Sequence, residues 1–97
     1  MQKQNYINVK IEGGNLIITN VSREKILIRS VIIRYFITVE NPIEERQFKR
    51  TVSEEKEINS WLEPDRFLKI PLTISDIKEV SIVFSTGLIT LRQDIEI

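Results

Sequence analysis

Apolar and polar residues alternate along much of this chain, and this period of two constrains the fold more than any other feature. Ile7, Val9 and Ile11 alternate with polar residues, and the even-numbered residues from Leu68 to Ile74 do the same. Successive side chains of a β-strand point to opposite faces of a sheet, so the pattern predicts strands with one buried face. Isoleucine occurs eighteen times and valine seven times, whereas alanine, the best helix former, is absent. The chain is therefore expected to be all-β.

Clusters of turn-forming residues divide the alternating segments into short strands. The predicted strands cover residues 6–11, 16–19, 26–40, 47–52, 68–74, 80–84 and 88–97. Ser53–Glu57 is assigned to an exposed loop or a single helical turn, a hairpin-like connection is expected after Asn20, and a turn is expected at Ser75–Asp76. Strands that recur roughly every 8–12 residues are typical of a sandwich or a barrel. We expect one domain, residues 1–97, folded as an immunoglobulin-like β-sandwich of seven or eight short, mainly antiparallel strands.

Some strands carry features beyond simple alternation. Ile26 and Ile28 share one parity, whereas the apolar residues from Val31 to Val39 share the other. One extra residue near Arg29–Ser30 reconciles the two sets, so a β-bulge is predicted there. The charges of Lys49 and Arg50 indicate that segment 47–52 is an edge strand. Pro71 lacks a backbone N–H donor, which indicates an edge position for segment 68–74.

The composition excludes several chemistries. The chain has no cysteine and no histidine, which rules out disulfides, thiolate or imidazole metal sites and catalysis by a nucleophile–histidine pair. The only acid groups that offer catalytic material are Glu44–Glu45, Glu54–Glu55 with Glu57, and Glu63 with Asp65. A catalytic carboxyl needs a low-dielectric cleft, whereas these lie in predicted turns, and no calcium-loop spacing is present. We expect no enzyme, no catalytic or metal residues, no cofactor and no small-molecule substrate, and we interpret Gly13–Gly14 as a tight turn.

Two motifs leave alternatives open. Asn20-Val21-Ser22 matches the N-glycosylation acceptor pattern in what is expected to be an exposed turn, and the match matters only if the domain is extracellular. Trp61 lies just before a turn, where it either fills the core or anchors an interface. Residue statistics favour the core.

Charge is balanced overall but uneven along the chain. Residues 23–50 hold seven Lys or Arg against four acids, residues 51–97 hold five against nine, and the net charge is zero. Tyr35, Phe36 and Phe48 lie within the basic half, and core packing explains these aromatics better than stacking on nucleic-acid bases. Nucleic-acid binding is therefore not expected, and a nucleic-acid-binding β-barrel is kept as the alternative function. A charged fraction of 29% favours a hot environment, although AT-rich coding explains the isoleucine excess equally well.

The chain resembles a domain of archaeal surface proteins in two stretches. Leu16–Ile28 followed by Val31–Ile33 resembles their recurrent opening, an apolar strand, a Thr-Asn turn, polar residues and a second strand. Leu62–Pro64, the alternation over 68–74 and Val80–Gly87 resemble the closing half, and together the stretches cover most of the chain. The resemblance implies an immunoglobulin-like sandwich of the kind found in archaeal pilins, archaellins and archaellum stator proteins, and archaeal virus structural proteins also use small sandwiches. Pilins and archaellins carry an N-terminal hydrophobic helix that this sequence lacks, so the resemblance points to a detached domain or a viral subunit.

These observations predict a non-enzymatic structural or interaction domain of an archaeal virion or cell-surface assembly. We expect a protein partner or self-association, no membrane insertion, and a virion or extracellular location. Met1–Asn5 is followed by no apolar stretch of signal-peptide length, so no signal peptide is expected in this sequence. The last strand runs to Ile97, and we expect Ile95 and Ile97 to be buried in the domain or against a neighbouring subunit.

Overall fold

Two antiparallel sheets pack face to face in this protein. The computed structural model describes residues 6–74 and 76–97, so the expectation for Met1–Asn5 and the Ser75 half of the expected turn lie outside the described residues. The strands are β1 (Ile7–Glu12), β2 (Asn15–Asn20), β3 (Ile26–Asn41), β4 (Arg46–Leu62), β5 (Phe67–Pro71), β6 (Ile77–Thr86) and β7 (Ile89–Glu96). The small sheet has the order β1-β2-β5 and the large sheet the order β4-β3-β6-β7. The prediction of an all-β sandwich is confirmed.

The hydrophobic core lies between the two sheets. Ile7, Leu16, Ile18 and Ile70 of the small sheet face the large sheet, and the Phe84 ring lies 5.9 Å from that of Tyr6. The large sheet contributes buried side chains from its two inner strands, β3 and β6, and from the end of its edge strand β4, namely Ile26, Ile28, Val31, Ile33, Leu62, Val80, Ile82 and Phe84. Each buried isoleucine removes enough apolar surface from water to favour folding by roughly 1.5–3 kcal/mol.

The predicted β-bulge in β3 is confirmed. The register of β3 against both of its neighbours shifts between Ile28 and Ser30. Because of that shift, Ile28 and Val31 both point into the core although they are three residues apart, and Arg29 is exposed. On β4 the irregularity falls at Asn59, whose φ of 48° is in the left-handed region that asparagine tolerates.

Several sequence-based boundaries are wrong. The strands β3 and β4 have 16 and 17 residues and are not short. Ser53–Glu57 is neither loop nor helical turn but part of β4, because its side chains alternate between half-buried and exposed positions. The connection after Asn20 is not a hairpin, since β2 and β3 belong to different sheets. Neither sheet closes into a barrel, so the barrel in the alternative reading is wrong.

Edge positions and the first turn follow the sequence. The segment 47–52 lies in β4, an edge strand of the large sheet, and Pro71 ends β5, an edge strand of the small sheet. Gly13 and Gly14 form the two-residue turn of the β1–β2 hairpin, with φ values of 57° and 76°. Glycine adopts this left-handed backbone without steric cost, as such hairpin turns require.

Candidate interaction surface

The strands β3 and β4 continue beyond the rest of the sandwich as a two-stranded ribbon. Pairing of β6 with β3 ends at Tyr35, opposite Ile77, whereas β3 and β4 stay paired as far as Asn41, opposite Arg46. We call residues 36–51 the arm and the remainder the body. The arm makes the molecule elongated, with extents of 56 × 29 × 22 Å. The radius of gyration of the molecule is 16.1 Å, whereas a compact domain of this length has a radius of about 13 Å.

A four-residue turn closes the tip of the arm. The Asn41 Oδ1 atom accepts hydrogen bonds from the backbone N–H groups of Ile43 at 3.1 Å and Glu44 at 3.3 Å. These hydrogen bonds fix the turn through the residue that precedes it, as asparagine does at turn starts. The side chain of Ile43 is left 91% exposed at the tip.

One face of the arm, which we call its inner face, is apolar and continues the core-facing side of the large sheet. Tyr35 and Val52 lie opposite each other at its root and are half-buried. Further out come Ile37 and Val39 on β3, and Phe48 on β4 is 52% exposed. Arg46 and Arg50 border this stripe and form no ion pair within residues 6–74 and 76–97. The small sheet ends before the arm begins, so nothing in the described chain covers this face.

The outer face of the arm has a different character. The ring of Phe36 lies under two ammonium groups, with Lys49 Nζ at 5.7 Å and Lys78 Nζ at 5.5 Å from its centroid. Lys49 and Arg50, grouped in the sequence as edge charges, are adjacent in β4 and therefore point to opposite faces. Tyr35, Phe36 and Phe48 were expected to pack in the core. Of these, only Tyr35 packs against the core, and the expectation is wrong for Phe48, which is exposed.

An apolar cleft opens between the two sheets at the root of the arm. This end cleft has a volume of about 250 Å³ and is lined by Ile11, Gly14, Leu72, Ile74, Asp76, Ile77 and Ile97. Hydrogen bonds tie its walls together, from Leu72 N to Gly14 O at 2.9 Å and from Ile97 N to Lys78 O at 3.1 Å. Ile95 is half-buried, but Ile97 is 58% exposed, so burial of Ile97 within the domain is wrong. Its burial against a neighbouring subunit stays a prediction.

The opposite end of the body also exposes large apolar side chains. Trp61 is 58% exposed, with Lys25 Nζ 5.3 Å from its ring centroid, so its assignment to the core is wrong. Leu88, in the turn between β6 and β7, is fully exposed. Exposed apolar side chains therefore lie at both ends of the long axis.

The outer face of the large sheet carries a polar network that links β3, β6 and β7. Arg34 forms an ion pair with Glu79, and the buried Ser81 hydroxyl donates to Asp94 Oδ1 at 2.6 Å. Arg92 Nε also donates to that oxygen, at 2.8 Å. The hydrogen bond from Ser81, followed by that from Arg92, holds the pKa of Asp94 below its ordinary value, and Asp94 raises the pKa of Arg92. The network joins the three strands.

The acid groups considered in the sequence do not converge. Glu54 and Glu55 point to opposite faces of β4, and Glu57 shares the exposed face with Glu55. Glu44 and Glu45 lie in the turn of the arm, and Glu63 and Asp65 lie in the exposed connection between β4 and β5. Among the described residues no group of three or more potential ligands is arranged to hold a metal ion.

Asn20 does not lie in an exposed turn, as the sequence had suggested, but is fully buried. Its Nδ2 atom donates to the backbone carbonyl oxygens of Glu24 at 2.7 Å and Leu62 at 2.9 Å. Nδ2 is the atom to which an N-linked glycan would be attached, so the folded domain does not present this site.

Comparison with protein-family models, with curated proteins and with solved structures gave no match. The part of the chain that the structure describes contains no helix of the length and hydropathy needed to cross a membrane.

Sequence reasoning missed the arm as an interaction surface. A signal was present in the paired alternation on either side of Pro42, where Tyr35 and Val39 precede the turn and Val52 and Phe48 follow it at matching distances. Two alternating segments about one short turn indicate a hairpin. The exposure of its inner face depends on where β6 and the small sheet end, which the pattern does not specify.

Proposed function

We propose that this chain is a non-enzymatic structural and interaction domain that joins protein subunits of a larger assembly, with the arm as its contact element. One observation carries the proposal, the exposure of Ile37, Phe48 and Ile43 along the arm and at its tip. These side chains continue the apolar face of the sandwich into a region where no second sheet covers it.

The physical chemistry of a ribbon supports this role. An isolated two-stranded hairpin is marginally stable in water, and a contiguous exposed apolar patch marks an interaction site in soluble proteins. Burying side chains such as Ile43 and Phe48 against a partner would favour binding by roughly 1.5–3 kcal/mol each, before the cost of association is subtracted. The arm thus has the properties of an element completed by another protein.

The finer assignment, a subunit or module of an archaeal virion or cell-surface assembly, rests on the sequence resemblance. A virion or extracellular location belongs to the same proposal. The sandwich supports it only at the level of fold, because many unrelated functions use this architecture.

Nucleic-acid binding stays a prediction with less support. Lys49 and Arg50 face opposite sides of the arm, so they do not form one basic patch for a nucleic-acid backbone. The Phe36 ring already lies under two lysine ammonium groups, which compete with a base for stacking on it.

The proposal is tested by removing the arm. Ile37 and Arg50 face each other in the ladder, so residues 38–49 can be replaced by Asn-Gly, a two-residue hairpin turn. We expect the wild-type chain to associate with rising concentration in size-exclusion chromatography with light scattering, and the shortened chain to remain monomeric. The measurement is repeated at low and high salt to separate apolar from charge-driven contacts.

A variant with a charge at the opposite end of the body, Leu88→Asp, serves as the control and should associate like the wild type. A wild-type chain that is strictly monomeric at all concentrations, and that occurs in no larger particle from its source, would contradict the proposal.

A further inference from the structure

The arm and the end cleft together form an L-shaped recess. The small sheet ends at Glu12 and Pro71, while the arm extends beyond this level as a continuation of the large sheet. The floor of the recess is the inner face of the arm, and its wall is the end cleft with Ile11 and Ile97. Among residues 6–74 and 76–97, half of the ten exposed large hydrophobic residues lie on these surfaces or at the arm tip, namely Ile11, Ile37, Ile43, Phe48 and Ile97.

The dimensions of the recess match the arm itself. The paired residues from Phe36 to Asn41 span about 20 Å at the usual rise of a strand. The depth of the recess is one sheet spacing, about 10 Å, because it continues the layer of the small sheet. A second ribbon of one sheet thickness and the same length fills that layer, and another copy of this chain carries such a ribbon with an apolar inner face.

We infer that two copies of this chain pair about a two-fold axis, each arm covering the inner face of the other arm. In this arrangement the tip of one arm, with Ile43, enters the end cleft of the other copy. Each arm supplies the second layer that the small sheet supplies in the body. The inference rests on the proposed function and names its partner as a second copy.

Charge is compatible with this pairing. Arg46 lies at the tip, and Asp76 lines the cleft that the tip enters, and neither forms an ion pair in the described part of the chain. In this arrangement Glu44 and Glu45 of the turn approach the end of the small sheet that carries Lys69, where Lys10 is already paired with Glu12 at 2.9 Å. The net charge of the chain is zero, so two copies do not repel each other at long range.

The contact area requires both parts of the recess. A ribbon about 10 Å wide and about 20 Å long offers roughly 200 Å² of flat face, so two arms face to face bury roughly 400 Å² in total, well below the roughly 1,000 Å² of a specific interface. Two-fold symmetry makes the contact between tip and cleft occur twice, and these contacts bring the interface toward that size. We therefore expect a dimer of micromolar rather than nanomolar affinity that depends on the arm face and on the cleft alike.

Matched charge substitutions test the two faces of the arm and the two ends of the body. Phe48→Asp on the inner face should raise the dimer dissociation constant at least about tenfold, as a buried aromatic anchor does, while Thr38→Asp on the outer face should leave it unchanged. Ile97→Asp in the cleft should weaken the dimer similarly, and Leu88→Asp at the far end should not. The constants are measured by sedimentation equilibrium, and circular dichroism confirms that each variant is folded.

Cross-linking locates the contact without relying on destabilised variants. The chain has no cysteine, so single substitutions give unambiguous sites. A mixture of Ile43→Cys and Ile97→Cys chains should be joined by a short bis-maleimide, whereas Ile43→Cys alone should not, because the two tips lie about an arm's length apart.

The outcomes separate this inference from the proposed function. Association that survives Phe48→Asp but fails with Leu88→Asp overturns the two-fold pairing in favour of head-to-tail contacts, and so does cross-linking of Ile43→Cys to Leu88→Cys. The chain then stays an assembly domain, but its contact includes the far end of the body, and Leu88→Asp is no longer a control for the arm. A wild-type chain that stays monomeric at every concentration overturns the pairing and removes self-association from the proposed function.

Discussion

At the scale of single residues, Asn20 joins parts of the chain that are distant in sequence. Besides its two donated hydrogen bonds, its Oδ1 atom accepts from the backbone N–H of Ser22 at 2.9 Å and from the Ser22 hydroxyl at 2.6 Å. The side chain thus fixes the connection between the sheets and links it to Leu62 at the end of β4. A buried amide is stable when all its polar atoms are hydrogen-bonded. A side chain that cannot form these hydrogen bonds would deprive the Glu24 and Leu62 carbonyl groups of a donor.

Replacing Asn20 by alanine should lower the free energy of unfolding by roughly 2–3 kcal/mol, because the buried Leu62 carbonyl loses its partner. The melting temperature should fall by about 10 °C or more on the scaling for small domains. Ser22→Ala is the matched control, since it leaves both Nδ2 hydrogen bonds in place and should cost less than about 1 kcal/mol. Equal losses in the two variants, measured by thermal denaturation, would show that Asn20 does not hold the connection.

Asn20 and Ser22 match the glycosylation pattern, and the same two residues form the hydrogen bonds that fix the connection between the sheets. Only packing distinguishes these roles, because the pattern specifies neither the position of Leu62 nor the exposure of Nδ2. Trp61 is the converse case. Its residue type favours a buried position, but it lies on the outward parity of an edge strand, opposite Leu27, where the sheet has no second layer.

At the scale of elements, the strands with a strong alternation were predictable and the long edge strand was not. The apolar periods of β1, β5 and β6 specify their buried faces, and the parity change in β3 specified its bulge. In β4 the half-buried positions include Glu54 and Lys56, so the strand carries no apolar period over Ser53–Glu57. An edge strand needs only backbone pairing with one neighbour and tolerates charge, which is why the sequence pattern misled there.

The strands β6 and β7 are also joined by charge, and this link should depend on pH. Hydrogen bonds from Ser81 and Arg92 stabilise the charged form of Asp94, so its pKa in the folded chain lies below the ordinary value of 3.8. The folded state therefore binds this proton less tightly than the unfolded state does. The stabilisation is present above the unfolded pKa and is lost as the pH falls through the folded pKa.

We expect Asp94→Asn to lower the melting temperature at neutral pH and to make little difference well below pH 3.8. Glu12→Gln gives the comparison, because the pKa of Glu12 is also lowered, by the hydrogen bond and charge of Lys10, which joins no second strand. Its effect should be smaller at neutral pH. A gap between wild type and Asp94→Asn that stays constant from neutral to acid pH would contradict the role of the Asp94 charge.

At the scale of the whole molecule, stability and interaction occupy separate regions. The fully buried side chains, from Leu16 to Phe84, lie in the body, whereas residues 36–51 contain no buried residue in the part of the chain that the structure describes. Core residues are costly to change because cavities form, but exposed ribbon residues contribute little to folding. The division leaves the arm free to carry apolar side chains whose contribution comes from binding.

This division predicts that the arm can be removed without unfolding the body. Replacement of residues 38–49 by Asn-Gly deletes only exposed or half-buried side chains and retains the strand pairs from Ile26–Leu62 to Ile37–Arg50. The melting temperature of the dilute, monomeric protein should therefore change by less than about 5 °C, which corresponds to about 1 kcal/mol.

Phe84→Ala, which opens a cavity in the core, should lower the unfolding free energy by roughly 3–5 kcal/mol in the same assay. Small-angle scattering should show the longest dimension falling from 56 Å in the full chain by roughly 15 Å, the length of the deleted ribbon. A shortened chain that is unfolded, or that melts as early as Phe84→Ala, would mean that the arm is part of the folding unit and that its apolar face stabilises the monomer.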